Sequence, residues 1–513
     1  MKNLFAVILL CTAVAIGWPN ATDLTARAEE QAGGSPDAGD PADVVSGPAL
    51  DPLLYEEPQG HQTATARLQS DLVAMQRFSP SYPFWYHVFT RPDGSVAFGS
   101  ATNGRLLVTF PERGNWTQNG RWEDPSLAGA LDSARLPSNL RRRREEVADR
   151  LRALGGPVLH NPTRGLSLQR NAEKYGAFLD EWGAIYERFG VPANIGLAQA
   201  AVESGLSGTV RSRARAIGFC QWLMTNWTRL KRLSPHVIEG YNQTTQAPYC
   251  AAYLTILATK YGSFIPALSE HHAGAANVGR ALINGERLGG GDVRERYFLG
   301  AAFARDLRTA QPRTFRDLYG TFGPRSALYA EMTFGNMANV ERLRSTMPQV
   351  EIFAMRTRRA RSLAEVAKGA GVSTAEAQRF NPALKRQVPS GGTVYLPRYV
   401  EAFGPDVSFW HRPPSEGYVA LLNEFMQLDV PLGEWDARAF DAVLRDFQKR
   451  FAATKTEEGT VMATTLAFVL QDQRSSRQAQ ILAEFRTSPR ILRLFERGKG
   501  VWNAFVAETL GAS

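Results

Sequence analysis

The chain has 513 residues, which is longer than one compact core supports and corresponds to about two to four domains. With 44 % apolar and 21 % charged residues it is neither fibrous nor wholly disordered. The formal net charge of +9 is unevenly spread: residues 29–60 hold eight acidic and no basic residues, whereas residues 61–513 hold 57 Lys and Arg against 41 Asp and Glu.

The first element is an apolar run of 14 residues, Leu4 to Gly17, preceded by Lys2 and interrupted only by Thr12. Its length suits a secretory signal and is short for a membrane span. Ala26-Arg27-Ala28 supplies small residues for cleavage, so residues 1–28 are expected to be a signal peptide. Leu10, before Cys11, is not the small residue that lipid attachment requires. The mature chain is therefore expected to be exported to the periplasm or cell envelope, with no transmembrane segment. Cys220 and Cys250 then remain as an even pair in an oxidising compartment. A disulfide and two buried thiols are both open. Residues 29–60, with five Pro and five Gly, are expected to form a disordered acidic linker. The basic remainder attracts polyanions, which outside the cytoplasm are wall polymers and anionic lipid rather than nucleic acid.

Residues 61–160 are expected to be a hairpin-rich N-terminal module of unassigned role. Thr63 to Arg77 has a helical pattern. Phe84 to Thr90, Val96 to Ala101 and Arg105 to Phe110 have strand composition, separated by Pro92-Asp93-Gly94 and Asn103-Gly104 turns. Arg141 to Arg144, followed by Glu145-Glu146, suit the solvated face of a helix. From 161 to 347 apolar residues recur at helical spacing, as in Phe178, Trp182, Ile185 and Phe189. Gly190 and Pro192 end that helix and open the next, which runs through Ile195, Ala198 and Val202 into Glu203. A carboxyl at the end of an apolar helix is pushed toward its neutral form by desolvation and by the negative end of the helix dipole. That is the state a general acid needs near neutral pH.

Glu203-Ser204-Gly205, then Ser212, then Ala216-Ile217-Gly218-Phe219-Cys220-Gln221 follow the pattern Glu-Ser, Ser, Ala-x-Gly-x-x-Gln, with Glu203 and Gln221 separated by 18 positions. Ala273-Gly274 and Tyr297 follow. Residues 165–345 thereby resemble the soluble lytic transglycosylases, whose catalytic domain has a goose-type lysozyme-like fold. The resemblance implies that Glu203 protonates the glycosidic oxygen between MurNAc and GlcNAc. It then takes the proton of the MurNAc C6 hydroxyl to close a 1,6-anhydro ring. It also implies that Ser212, Gly218, Gln221, His272 and Tyr297 contact substrate, and that Ser204 steadies Glu203 by hydrogen bonding. This chain departs from the family at His271-His272, where Tyr-Asn is usual, and at Val293-Arg294, where Glu-Thr precedes the tyrosine. A hydrolytic muramidase would need a second carboxylate, for which Glu239, Glu270, Glu286 and Asp292 are the candidates in this domain. A non-catalytic wall-binding scaffold is the other alternative. Adjacent histidines without a His-Glu-x-x-His pattern, and Gly289-Gly290-Gly291 without phosphate-loop spacing, point to no metal and no cofactor.

Residues 350–398 resemble a LysM module, a βααβ fold that binds GlcNAc-containing glycans. The matching residues are Ser362-Leu363, Val366-Ala367, Gly371-Val372-Ser373, Asn381-Pro382 and Val394-Tyr395-Leu396-Pro397. Residues 415–472 resemble the helical peptidoglycan-binding module, through Gly433-Glu434-Trp435-Asp436, Phe447-Gln448, Glu458-Gly459 and Thr464-Thr465. Residues 473–513 form a helical tail. The expected fold class is mainly α: a lysozyme-like helical domain, a βααβ module, a C-terminal helical module and the N-terminal hairpins. The expected partner is the glycan strand of peptidoglycan.

Overall fold

The computed structural model describes residues 59–132, 134–234, 240–428, 437–471 and 474–511. The expected signal peptide, residues 29–58 of the linker, Glu239 and the Gly433–Asp436 motif lie outside the described residues. The described chain is mainly helical, with small antiparallel sheets. Among its described residues no helix is long and apolar enough to cross a membrane.

Val96–Ser100 and Leu106–Phe110 pair as the expected hairpin around Gly104, whose φ of 75° suits a residue without Cβ. Val158–Pro162 pairs with the outer side of the first strand and Arg121–Trp122 with the second, completing four antiparallel strands. The helix Leu140–Gly155 covers the sheet, and Phe98, Phe110, Trp116, Val147 and Leu151 form a separate small core between them. On that helix Arg141 pairs with Glu145 and Arg150 with Glu146 on the solvent side.

Phe84–Thr90 is a helix and not the expected strand. Phe84, Trp85, Val88 and Phe89 are its buried residues, a spacing that makes one helical face. A run of aromatic and apolar residues carries no alternation to distinguish the two states, and packing against the helix Tyr329–Thr346 decides between them. The helix Gln59–Phe78 also joins the main helical body, through Leu68, Met75 and Phe78, and not the sheet. Its Asp71 is fully buried and caps another helix, Phe264–Ala273. One carboxylate oxygen accepts from Ser263 Oγ at 2.7 Å and Arg294 Nε at 2.6 Å, the other from the Phe264 amide at 2.6 Å. The residues grouped by sequence as 61–160 therefore divide between two cores.

Residues 353–396 have the strand–helix–helix–strand order. Phe353–Arg356 pairs antiparallel with Thr393–Leu396, and the helices Leu363–Ala370 and Thr374–Phe380 lie between them in sequence. Ser362 and Ser373 cap these helices by accepting from the amides of Glu365 and Glu376, the Ser-x-x-Glu arrangement of a capping box. The unit is docked on the helical body. Phe380 packs against Phe178 at 4.6 Å, Asn242 Nδ2 donates to the Phe380 carbonyl at 3.1 Å, and the Thr245 and Tyr395 hydroxyls meet at 2.5 Å.

The helices Glu416–Met426, Ala437–Ala453 and Glu457–Leu470 pack into the same core as the central domain. Phe468 stacks on Trp222 at 5.3 Å. Arg188 and Glu458 form an ion pair at 2.9 Å, with side chains only 7 % and 6 % exposed. Arg188 also donates to the Phe409 carbonyl, and the Tyr418 hydroxyl donates to the Arg188 carbonyl at 2.9 Å. Removing one member of such a pair leaves the other charged and buried. We predict that Glu458→Ala lowers unfolding free energy by about 3–5 kcal/mol, whereas Arg188→Met with Glu458→Leu recovers most of the loss. Denaturant unfolding of the three proteins measures this.

Candidate functional site

Glu203 lies in the last turn of the helix Ala193–Ser204, whose small residues let neighbouring helices approach closely. Gly205 ends the helix in the left-handed conformation at φ 60°, and its amide donates to the Ala201 carbonyl at 3.0 Å. The Glu203 side chain is 11 % exposed. Its Oε1 accepts from the Tyr329 hydroxyl at 2.5 Å. His271 Nε2 and His272 Nδ1 stand 3.8 Å and 3.9 Å from the same oxygen.

Burial raises the Glu203 carboxyl from its ordinary 4.5 to about 7, against the opposing pull of the Tyr329 hydrogen bond and the charge of Arg325. Burial lowers both imidazoles to about 4, so they are neutral near pH 7 and neither contact with Glu203 is an ion pair there. His271 Nε2 lies 2.9 Å from the Cys220 carbonyl. A carbonyl only accepts, so this nitrogen carries the hydrogen. His272 stacks on Tyr329 with ring centroids 4.6 Å apart and planes 6° from parallel, which fixes the tyrosine over the carboxyl. The arrangement holds one proton donor, poised near neutral pH, under an aromatic hydroxyl.

Residues 216–221 form a turn fastened to this group from several sides. The short strands Ala216–Ile217 and Trp222–Leu223 pair. Cys220 and Cys250 are joined by a disulfide, which ties the turn to the helix Gln243–Tyr261. Ser204 Oγ lies 3.0 Å from the carbonyl oxygens of both Ala200 and Phe219. It holds the turn and makes no bond to Glu203. Successive helical residues point about 100° apart, so Ser204 faces the turn while Glu203 faces the tyrosine. Gly218 is buried at φ 78°, and a Cβ there would fall 2.1 Å from Gln246 Nε2. Its role is to admit Gln246, which accepts from the Phe219 amide and donates to the Gly240 carbonyl. Ser212 is exposed and closes the preceding loop by accepting from the Ala216 amide at 3.0 Å. Gln221 is partly exposed at φ 52°, with its amide turned onto the carbonyls of Gly218 at 2.9 Å and Val210 at 3.2 Å.

Tyr297, expected to touch sugar, is fully buried, and its hydroxyl lies 3.5 Å from the Ser326 carbonyl. Tyr329 takes the place beside the acid. It lies 126 positions from Glu203, and no local pattern announces it. Gln246 and Arg325 were likewise not singled out by sequence. The three described acidic candidates are engaged elsewhere. Glu270 is buried against Lys260 at 2.6 Å and receives the Tyr261 hydroxyl. Glu286 pairs with Arg486, and Asp292 caps the helix Val293–Ala310. Among the described residues no three His, Cys, Asp or Glu side chains are grouped to hold a metal ion. No protein-family model matches the chain, and no curated protein matches it.

A carboxyl raised by burial makes the folded state prefer its proton. The stability it contributes is fully present below about pH 4.5 and lost as pH rises through about 7. We predict that Glu203→Gln gains stability relative to wild type on going from pH 4.5 to pH 8, by up to about 3 kcal/mol. Denaturation midpoints at the two pH values decide this. A difference that does not vary with pH would mean that the carboxyl is fully hydrated.

Proposed function

We propose that the protein is a peptidoglycan lytic transglycosylase, cleaving the β-1,4 bond between MurNAc and GlcNAc and leaving a 1,6-anhydroMurNAc end. The observation that carries this reading is Glu203: a carboxyl 11 % exposed and raised to about 7, so that it is largely protonated just below neutrality. The motif resemblance around Glu203 and Gln221 supplies the substrate class.

On this reading the Glu203 carboxyl donates its proton to the bridging oxygen as the bond to the anomeric carbon breaks. The carboxylate so formed accepts a hydrogen bond from the Tyr329 hydroxyl, whose oxygen is already 2.5 Å from Glu203 Oε1, and is stabilised by it. The substrate's own N-acetyl group meets the cation-like centre. The Glu203 carboxylate then removes the C6 hydroxyl proton, and that oxygen closes the ring. Glu203 ends protonated, and no water is consumed. The hydrolytic alternative needs a second carboxylate aimed at the sugar. Of the candidates, Glu270, Glu286 and Asp292 are bound as described, and Glu239 lies outside the described residues.

The accessory regions fit the same reading. The βααβ unit at 353–396 has the strand and helix order of a LysM-like glycan-binding module, and the loop residues Arg358, Arg359, Ser390 and Gly391 remain exposed. The C-terminal helices, which resemble a peptidoglycan-binding module, are packed into the central core and are assigned a bracing role beside Trp222 as well. Export to the periplasm or envelope, where the substrate lies, completes the proposal.

Two outcomes are expected. Purified sacculi treated with the wild-type chain release anhydro-muropeptides, 18 Da lighter than hydrolytic products by roughly the mass of one water, and Glu203→Gln releases none. Products carrying the added water would replace this reading with a muramidase, and equal release by the mutant would end the enzyme reading altogether. Tyr329→Phe removes the bond that lowers the Glu203 value, so the alkaline limb of the pH–rate profile moves upward. Its maximal rate falls by about tenfold to a hundredfold through loss of the donor to the carboxylate.

A further inference from the structure

The turn 216–221 and the acid meet through one imidazole. His271 Nε2 donates to the Cys220 carbonyl at 2.9 Å and stands 3.8 Å from Glu203 Oε1. Its hydrogen is committed to the carbonyl and not to the carboxyl. Cys220 is thus held twice, at its carbonyl by His271 and at its sulfur by Cys250. Both cysteines are buried. The next residue is Gln221, where the chain enters the left-handed conformation and becomes partly exposed.

The helix Gln243–Tyr261 turns one side to this junction. Gln246, Cys250 and Tyr253 are spaced four and three positions apart, which places them on a common face. Gln246 accepts from the Phe219 amide, Cys250 is bonded to Cys220, and the Tyr253 ring lies 5.0 Å from Trp222 and 6.0 Å from His271. The crosslink therefore sets the spacing of helix and turn at a point one hydrogen bond from the ring beside the acid. Bonded sulfurs sit about 2 Å apart, whereas unbonded heavy atoms keep about 3.5–4 Å between them. Two thiols in the same buried place thus move the turn off the helix by more than about 1 Å. The Cys220 carbonyl goes with it, and the released His271 hydrogen has Glu203 Oε1 as its neighbouring acceptor. A donor there favours the ionised carboxyl, the wrong state for a general acid.

We propose that the Cys220–Cys250 disulfide, acting through His271 as a positioning residue, is a redox switch on the acid: the chain with free thiols holds a misplaced turn and does not cleave, and oxidation activates it. This rests on the function proposed above and names the regulation of that same site. The activating step is thiol–disulfide exchange. A disulfide-bearing oxidant takes two electrons and two protons from the Cys220 and Cys250 thiols as their sulfurs join, and leaves as two thiols. A chain still in a reducing compartment is thereby kept from cutting.

The test uses the full chain, assayed on sacculi, with folding followed by circular dichroism. Wild type refolded under a thiol reductant is expected to show a kcat about a hundredfold below that of the oxidised chain, with KM little changed, and to recover on addition of oxidised glutathione. Its alkaline pH limb is expected about one pH unit lower. In the oxidised chain His271→Phe is expected to lose a similar factor, while His271→Gln, which keeps an N–H donor, retains most of the rate. Cys250→Ser combined with His271→Phe costs no more than either alone, because the two act as one unit. A folded reduced chain that cleaves at the oxidised rate, or single losses that multiply in the double variant, overturns the proposal. The His271 variants keep the crosslink and decide the matter where the reduced chain does not fold, since a wild-type rate in His271→Phe overturns it as well. A second readout is independent of cleavage: the pH-dependent stability difference produced by Glu203→Gln is expected to be smaller in the Cys250→Ser chain than in the oxidised chain. Absence of product from every form ends the enzyme reading, whereas an unchanged stability difference ends the coupling, so the two fail by different results.

Discussion

Exclusion of one carboxyl from water is the constraint on which the rest of the site depends. Glu203 would ionise readily in solvent. Here it lies at the end of an almost wholly buried helix, beneath Tyr329 and beside two imidazoles that burial keeps neutral. Desolvation outweighs the hydrogen bond and the nearby positive charge, and holds the carboxyl protonated up to about pH 7. The hydrogen bond from Tyr329 acts in the other direction, favouring the carboxylate. In the mechanism proposed above, that opposition suits a group that both loses and regains a proton, since neither state is held so tightly that the return step becomes slow.

Several distant parts of the chain meet to enforce this. The tyrosine arrives on the helix Tyr329–Thr346. The histidines arrive on a helix whose first turn is capped by Asp71, a residue of the N-terminal helix. The turn 216–221 is fixed by Ser204, Gln246, His271 and the disulfide. Its outward end at Gln221 remains partly exposed. Rigid support on the inner side and access on the outer side are what a positioning loop requires.

Much of this was legible in the sequence, and the failures have identifiable physical sources. Glu203 is legible because an apolar helix, a Glu-Ser pair and a spaced Gly-x-x-Gln all occur within one short segment. The helices Leu363–Ala370 and Thr374–Phe380 were legible because serine caps and Gly371 punctuate them. Phe84–Thr90 was not, because its aromatic run has no periodicity until a partner helix chooses one face. Tyr329 carries no sequence signal, since its place beside Glu203 arises from a contact across the fold, whereas Tyr297 turns its hydroxyl toward the Ser326 carbonyl in the core. Ser204 and Gly218 lie in the legible motif, and their contacts in the fold are with the loop backbone and with Gln246.

The contacts of the first described helix have a practical consequence for dissecting the protein. Arg67 donates to the Met426 carbonyl at 2.7 Å, joining residues 359 positions apart, while Asp71 anchors the histidine helix from the same segment. The body is thus closed by its own remote ends. A fragment cut at the edges of the motif resemblance, near 165 and 345, would strip away Leu68, Met75 and Phe78 on one side and Leu422, Phe425 and Met426 on the other, baring greasy faces that invite aggregation. The smallest piece that can stand alone is set by packing and is far longer than the stretch that carries the recognisable motif.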